Sequence, residues 1–266
     1  MSIFQRAILT HGGAGSDPQN FDGPKDAAHI GMGLMANGET ALSAVIQAVR
    51  YLEDDPRFNA GVGAQIRADN TTIQLDASCM TSLGKFGAVA CIEGIQNPID
   101  LAEGILLYSS HILIVGDGAK IFANEKKIPM IPMGKPDRIN QVSSSCDTVG
   151  AVAFDGTIFA AALSSGGLEK SALGRVGDVP LPGCGLFCGP SGAVACTGDG
   201  EFIALKGLAK EVYGWLESKI SPEKAAQKAM ALFDESVDIG LIILTQTQFA
   251  LNSRNGMACS HLLEIR

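Results

Sequence analysis

Asp147-Thr148-Val149-Gly150-Ala151-Val152-Ala153-Phe154-Asp155-Gly156-Thr157-Ile158-Phe159-Ala160-Ala161-Ala162-Leu163-Ser164-Ser165-Gly166-Gly167 is the stretch on which the fold turns. It reads as two apolar strands joined by Asp155-Gly156, a dipeptide suited to a tight type I′ hairpin. With that loop Phe154 faces Thr157, and Thr148 falls opposite Leu163. Ser165 is then its diagonal neighbour on the same face, and Ser164 points to the other face. The hairpin gathers two hydroxyls at its open end. Its strands are apolar on both faces, so other layers are expected to cover both.

Threonine and serine close many strands without doing chemistry, and the material before Thr148 is what gives these two a sharper meaning. From Phe122 to Asp147 the chain passes Lys126-Lys127, Pro129, Pro132, Pro136 and Ser143-Ser144-Ser145 with little periodicity. This reads as a linker of about 25 residues, long enough to require a reason. A tether that stops at the first residue of a buried strand suits a chain that is cut there. Cleavage before Thr148 would release an α-amine with a pKa near ~8. Such an amine can take the proton of its own threonine hydroxyl and make a nucleophile of it.

Composition sets the frame for this idea. The 266 residues are 46% hydrophobic and only 18% charged, with 32 glycines, which points to a compact chain with many tight turns. Lys+Arg 20 against Asp+Glu 28 leaves a net charge of -8 and no basic patch, so nucleic acid is not an expected partner. No apolar run reaches membrane-spanning length, and Met1 to Arg6 is too short and polar for a signal peptide. The seven cysteines form no Cys-x-x-Cys pair, and the histidines show no ligand spacing around them. Reduced thiols, a cytoplasmic location and no zinc site are therefore expected.

Outward from the hairpin, Arg6 to Thr10 reads as a short strand ending in the turn His11-Gly12-Gly13-Ala14-Gly15. A helical region from Asp26 to Glu53 is broken near Asn37-Gly38, and its second half carries a Thr40 cap. Asp54 to Ala64 is a loop with two glycines and Asn59, either a structured turn or a cation-binding loop. Strands are expected over 71–80, 86–93 and 111–115, with a helix from Pro98 to Ser110. Beyond the hairpin, Gly174-Arg175-Val176-Gly177-Asp178 sets a guanidinium three residues from an acid. Such a pair can hold the carboxylate and the amine of an amino acid, or be a plain surface ion pair. Thr197-Gly198-Asp199-Gly200-Glu201 leads into a helix reaching Ser218, and its glycine-flanked amides are a candidate oxyanion site. A further helix over 221–233 and strands over 237–245, 249–252 and 262–265 close the chain.

These pieces resemble the plant-type asparaginase / isoaspartyl peptidase family of N-terminal-nucleophile hydrolases. The resemblance runs in order through His11 to Gly15, Leu52-Glu53, Phe58 to Gly63 and Asp76-Ala77-Ser78. It continues through Asp147 to Val152, Ser165 to Gly167, Gly174 to Asp178 and Thr197 to Glu201. It implies an α+β, four-layer αββα sandwich over one domain, 1–266, that cleaves itself into 1–147 and 148–266. The cut would fall between Asp147 and Thr148, with Thr148 as nucleophile and Ser165 where the family usually has a second threonine. Thr197 and Gly198 match the oxyanion hole. Arg175, Asp178 and Asn59 match substrate-binding groups, with Gly200 beside them. A loop of main-chain carbonyls at Leu52, Glu53, Asp55, Phe58, Ala60 and Val62 would hold a structural Na⁺ or K⁺, with no organic cofactor. The implied reaction is hydrolysis of asparagine or of β-aspartyl dipeptides by a homodimer of cleaved protomers, with a small-molecule substrate. Ser164-Ser165-Gly166-Gly167-Leu168 is closer to the related endopeptidase taspase, whereas Asp178 suits a free amino acid. A glycosylasparaginase, and an uncleaved relative acting as a binding protein, are the other readings.

Overall fold

A computed structural model describes residues 3–133 and 148–266. The expected cleavage partner Asp147 lies outside the described residues, as does 134–147 of the expected linker. In chain order the elements are β1 (Phe4–Ala14), α1 (Asp22–Ala36), α2 (Ala41–Glu53), β2 (Leu75–Thr81) and β3 (Phe86–Ile92). Then come α3 (Pro98–Tyr108), β4 (Leu113–Val115), α4 (Asp117–Lys126), β5 (Val149–Phe154) and β6 (Phe159–Ser165). The remainder is β7 (Leu186–Gly189), β8 (Gly192–Gly198), α5 (Gly200–Lys206), α6 (Leu208–Glu217), α7 (Pro222–Met230), β9 (Ile239–Leu244), β10 (Phe249–Ser253) and β11 (Met257–Ile265).

This is a mixed α+β structure with two sheets. One has seven strands in the order β11-β1-β5-β6-β2-β3-β4, and the other four in the order β10-β9-β8-β7. Period-two alternation divides the apolar residues among three clusters. Val149, Ala151 and Ala153 of β5 pack with Ile8, Val45, Leu52 and Ile99 on the side of α1, α2 and α3. Val152 and Phe154, on the opposite face, join Leu163, Leu186, Ile242 and Leu244, which belong to both sheets. Leu241 and Ile243 face Val212, Tyr213 and Leu216 of α6. Burial of both faces explains why these strands lack polar alternation.

The central hairpin forms with one correction. Val149 pairs with Ser164 and Phe154 with Phe159, so Gly156-Thr157, not Asp155-Gly156, occupies the two central loop positions. Only Gly156 needs a positive φ (96°), as in a type II′ loop. Asp155 is drawn out of the loop centre by its own carboxylate, which accepts from the amides of Thr157, Ile158 and Ala41 at 2.8–2.9 Å. The one-residue shift sets Thr148 directly opposite Ser165 when the register is continued past Val149.

Two other expectations also change. The expected linker does not begin at Phe122, because α4 runs to Lys126 and is closed by Lys127 in the left-handed conformation. Only Ala119 and Ala123 of α4 are fully buried, with Phe122 half-buried beside them, a short and weak apolar face. Strand β1 is longer than expected and continues through His11-Gly12-Gly13 to Ala14, paired with β11 on one side and β5 on the other. The Thr40 hydroxyl caps α2 as expected, accepting from the Ser43 amide, and Ser221 caps α7 by accepting from the Lys224 amide, while the helix expected to reach Ser218 is split at Gly207 into α5 and α6.

Candidate active site

Thr148 immediately precedes β5 and is 3% exposed. Across the hairpin, Ser165 ends β6, and its Oγ accepts from the Gly167 amide at 3.0 Å. Both side chains line one cleft, together with Arg175, Asp178, Gly198 and Gly200. Residues from β5, β6, the loop after β6 and the β8–α5 junction thus converge where the two sheets meet at the hairpin's open end.

The Arg175 guanidinium gives Nε and Nη2 to the Glu201 carboxylate at 2.8 and 2.6 Å, which leaves Nη1 for another anion. Burial works against its charge, but Glu201, Asp178 and Asp76 together hold its pKa above the ordinary arginine value. Asp178 is 4% exposed, and burial pushes its carboxyl up to about 7, against opposing effects of a backbone amide and Arg175. Its Oδ2 is buried with no hydrogen-bond partner. A buried carboxylate oxygen left open costs free energy until a donor or cation meets it, which makes this the natural seat for an ammonium group. A Cβ at Gly200 would press on this pair, lying 2.9 Å from Asp178 Oδ1 and 3.0 Å from Arg175 Nη2.

At the end of β8, Gly198 has φ 132° and a Cβ there would sit 2.2 Å from the Asp238 carbonyl, so only glycine fits this turn into the cleft. Thr197 is fully buried, and its Oγ1 accepts from the Ala14 amide at 3.1 Å, tying β8 to the end of β1. Asn59 does not line the cleft. Its Nδ2 donates to the Gly167 carbonyl at 2.7 Å and its Oδ1 accepts from Gln65, so it braces the chain leaving β6.

The loop expected to hold a cation is tightly packed at its two glycines. A Cβ on Gly61 would lie 2.2 Å from the Glu53 carbonyl oxygen, and one on Gly63 would lie 2.1 Å from that of Phe58. The Glu53 and Phe58 carbonyls thus approach these glycines closely, and carbonyl oxygen is the donor type a hard cation takes. The Glu53 side chain plays a different part: it is fully buried, burial raises its pKa well above the usual carboxylate range, and its Oε1 accepts from the Ile99 amide at the start of α3.

Three residues near the site carry no role in the sequence reading. His11 lies opposite Gly150 in the β1–β5 register, and a Cβ on Gly150 would be 2.3 Å from its Nε2. Burial lowers its pKa to about 3, so the ring beside the Thr148 backbone is neutral. Arg67 is fully buried, donates Nη2 to the Gln74 carbonyl at 3.1 Å and bonds Ser171 Oγ. Asp76 also lines the cleft, with burial raising its pKa to about 6. A carboxylate inside an otherwise apolar strand was the available signal for Asp76; Arg67, in a polar turn-like stretch, offered none.

Comparison with known proteins identifies the family. The asparaginase family profile matches residues 4–141 and 132–259. A plant-type L-asparaginase of Pyrococcus horikoshii is 33% identical, covering 85% of this chain and 84% of its own. An isoaspartyl peptidase/L-asparaginase of Xenopus laevis is 35% identical over 90% and 85% of the two chains, and one of Danio rerio 34% over 87% and 82%. The chain belongs to the asparaginase family.

Proposed function

We propose that this asparaginase-family chain is an autoprocessed threonine hydrolase that cleaves the side-chain amide of L-asparagine, the isopeptide bond of β-aspartyl dipeptides, or both, releasing L-aspartate. The observation that carries the reading is that Thr148 and Ser165, next to each other beyond the Val149–Ser164 pair, line one cleft with Arg175 and Asp178. The relatives' names supply the substrate class. The three apolar clusters support a four-layer αββα arrangement of the N-terminal-nucleophile type, in a single domain cut between Asp147 and Thr148.

In this mechanism the α-amine freed at Thr148 takes the hydroxyl proton, and Oγ1 attacks the β-carbonyl. Ser165 holds the nucleophile's side of the cleft, while Thr197 and Gly198 meet the developing oxyanion. Donors of that kind are worth about 3–4 kcal/mol when removed singly. Nη1 of Arg175 binds the α-carboxylate and the open oxygen of Asp178 binds the α-ammonium, with Gly200 leaving room between them. Asn59 braces the Gly166-Gly167 turn. Ammonia or an amino acid leaves, and water then releases aspartate from the acyl-enzyme. The 52–63 loop, through the carbonyls of Leu52, Glu53, Asp55, Phe58, Ala60 and Val62, would hold a monovalent Na⁺ or K⁺ whose charge stiffens that loop. No helix among the described residues is long and apolar enough to cross a membrane. The described cysteines are all free thiols, which suits a reducing, cytoplasmic location, and the active form is taken to be a homodimer of cleaved protomers. Ammonia release from L-asparagine, set beside leucine release from β-aspartyl-leucine, tests the reading; an inert protein on both would remove it.

A further inference from the structure

Strand β2 carries a feature that the reaction above leaves unused. Asp76 pairs with Ser165 in the β2–β6 register, and Ser165 faces Thr148 across the hairpin. A row of carboxylate, hydroxyl and hydroxyl therefore crosses three adjacent strands on one face. Ser78 is two residues along β2, on the same face as Asp76. Its Oγ donates to the Val179 carbonyl at 2.5 Å. The Asp76 carboxylate accepts from the Cys91 amide at 2.9 Å, and the Gly177 amide helps to stabilise its charge. Gly177 and Val179 bracket Asp178, so Ser78 ties down the backbone just after it, and Asp76 lines the same cleft as Gly177 just before it.

The grip is built with some strain. Cys91 sits at φ 53°, where β3 bulges past Asp76, and this backbone twist turns its amide toward the carboxylate. The charges of Arg67 and Arg175 favour the ionised form of Asp76. Burying Asp76 without such partners would be costly.

We propose that Asp76 and Ser78 are positioning residues that clamp the 177–179 segment to β2 and so fix the Asp178 carboxylate relative to the Thr148–Ser165 pair. This rests on the reading that Asp178 receives the substrate's ammonium group. The clamp makes recognition of a free α-amine and placement of the nucleophile parts of one rigid frame, because β6 carries Ser165 and is hydrogen-bonded to the strand that holds Asp178 in place. Loosening it weakens substrate and transition state alike, which raises KM and spares kcat.

The test is steady-state kinetics on L-asparagine with Asp76→Asn and Ser78→Ala, each with its two-fragment mass checked. Asp76→Asn keeps the volume and removes an ionised acceptor, and KM is expected to rise about 10- to 100-fold with kcat within about threefold of the parent. Ser78→Ala removes a neutral hydrogen bond and should raise KM about 3- to 10-fold in the same manner. If Asp76→Asn does not fold, Ser78→Ala alone decides. KM unchanged in a folded variant, or a fall in kcat at constant KM, overturns the clamp. A parent protein inactive on both asparagine and β-aspartyl-leucine removes the underlying reading, and the clamp with it.

Discussion

Replacing Asp178 with asparagine should make the protein more stable at high pH and worse at binding substrate. The carboxyl is fully buried, and its pKa stands at about 7 in the folded state against 3.8 in a solvated carboxyl. The folded state therefore holds a proton that the unfolded chain gives up between these values. That proton uptake means stability falls as pH rises from about 4 to about 7 and then levels off. At 1.36 kcal/mol per unit the full cost is about 4 kcal/mol above pH 7, of which about 3 kcal/mol develops between pH 5 and pH 8. Asp178→Asn abolishes this titration. Urea unfolding of the two proteins at both pH values should show the variant gaining about 3 kcal/mol on the parent as pH goes from 5 to 8. At pH 8, L-aspartate should stabilise the parent and not the variant, because its ammonium meets the open Oδ2. A difference between the proteins that is flat with pH, or that shrinks as pH rises, would refute the idea that Asp178 is a buried carboxylate awaiting a cation.

Three other perturbations test separate parts of the site. Ser165→Ala removes the hydroxyl opposite Thr148 and the acceptor for the Gly167 amide, and kcat should fall about tenfold with a loss of about 1 kcal/mol in stability. Gly198→Ala introduces a Cβ against the Asp238 carbonyl at a φ of 132°, and should cost about 2–3 kcal/mol, read as a melting point lower by about 5–10 °C. Replacing sodium with tetramethylammonium should lower the melting point of the parent by several degrees. Gly61→Ala, which would push a Cβ to 2.2 Å from the Glu53 carbonyl, should melt alike in both salts. Equal melting of the parent in both salts would discard the cation loop.

The hairpin was legible because its two-sided apolar strands and its glycine turn are local signals. Its register was missed by one residue, because the turn was settled by Asp155 capping Thr157, Ile158 and the distant Ala41 amide, and that last contact is invisible locally. The helix α4 was hidden for a different reason: its inner face is only Ala119, Phe122 and Ala123 in a run of charged residues, so its pattern resembles a polar linker. Among site residues, Arg175, Asp178 and Gly198 could be found because glycine-flanked charges are unusual. That Asp76 stands beside Ser165 depends on β2 pairing with β6, strands 84 positions apart at Phe159 and Leu75, which no local pattern encodes. The commitment of Asn59 to Gly167 is another long-range fact of that kind.

The central claim is that catalysis belongs to a threonine at a new amino terminus. Intact mass and amino-terminal sequencing of protein active on L-asparagine test it most directly. The account predicts two fragments from the 27.6 kDa chain, the second beginning at Thr148, and an intact, inactive chain for Thr148→Ala. Turnover by protein in which residues 147 and 148 remain joined would contradict it.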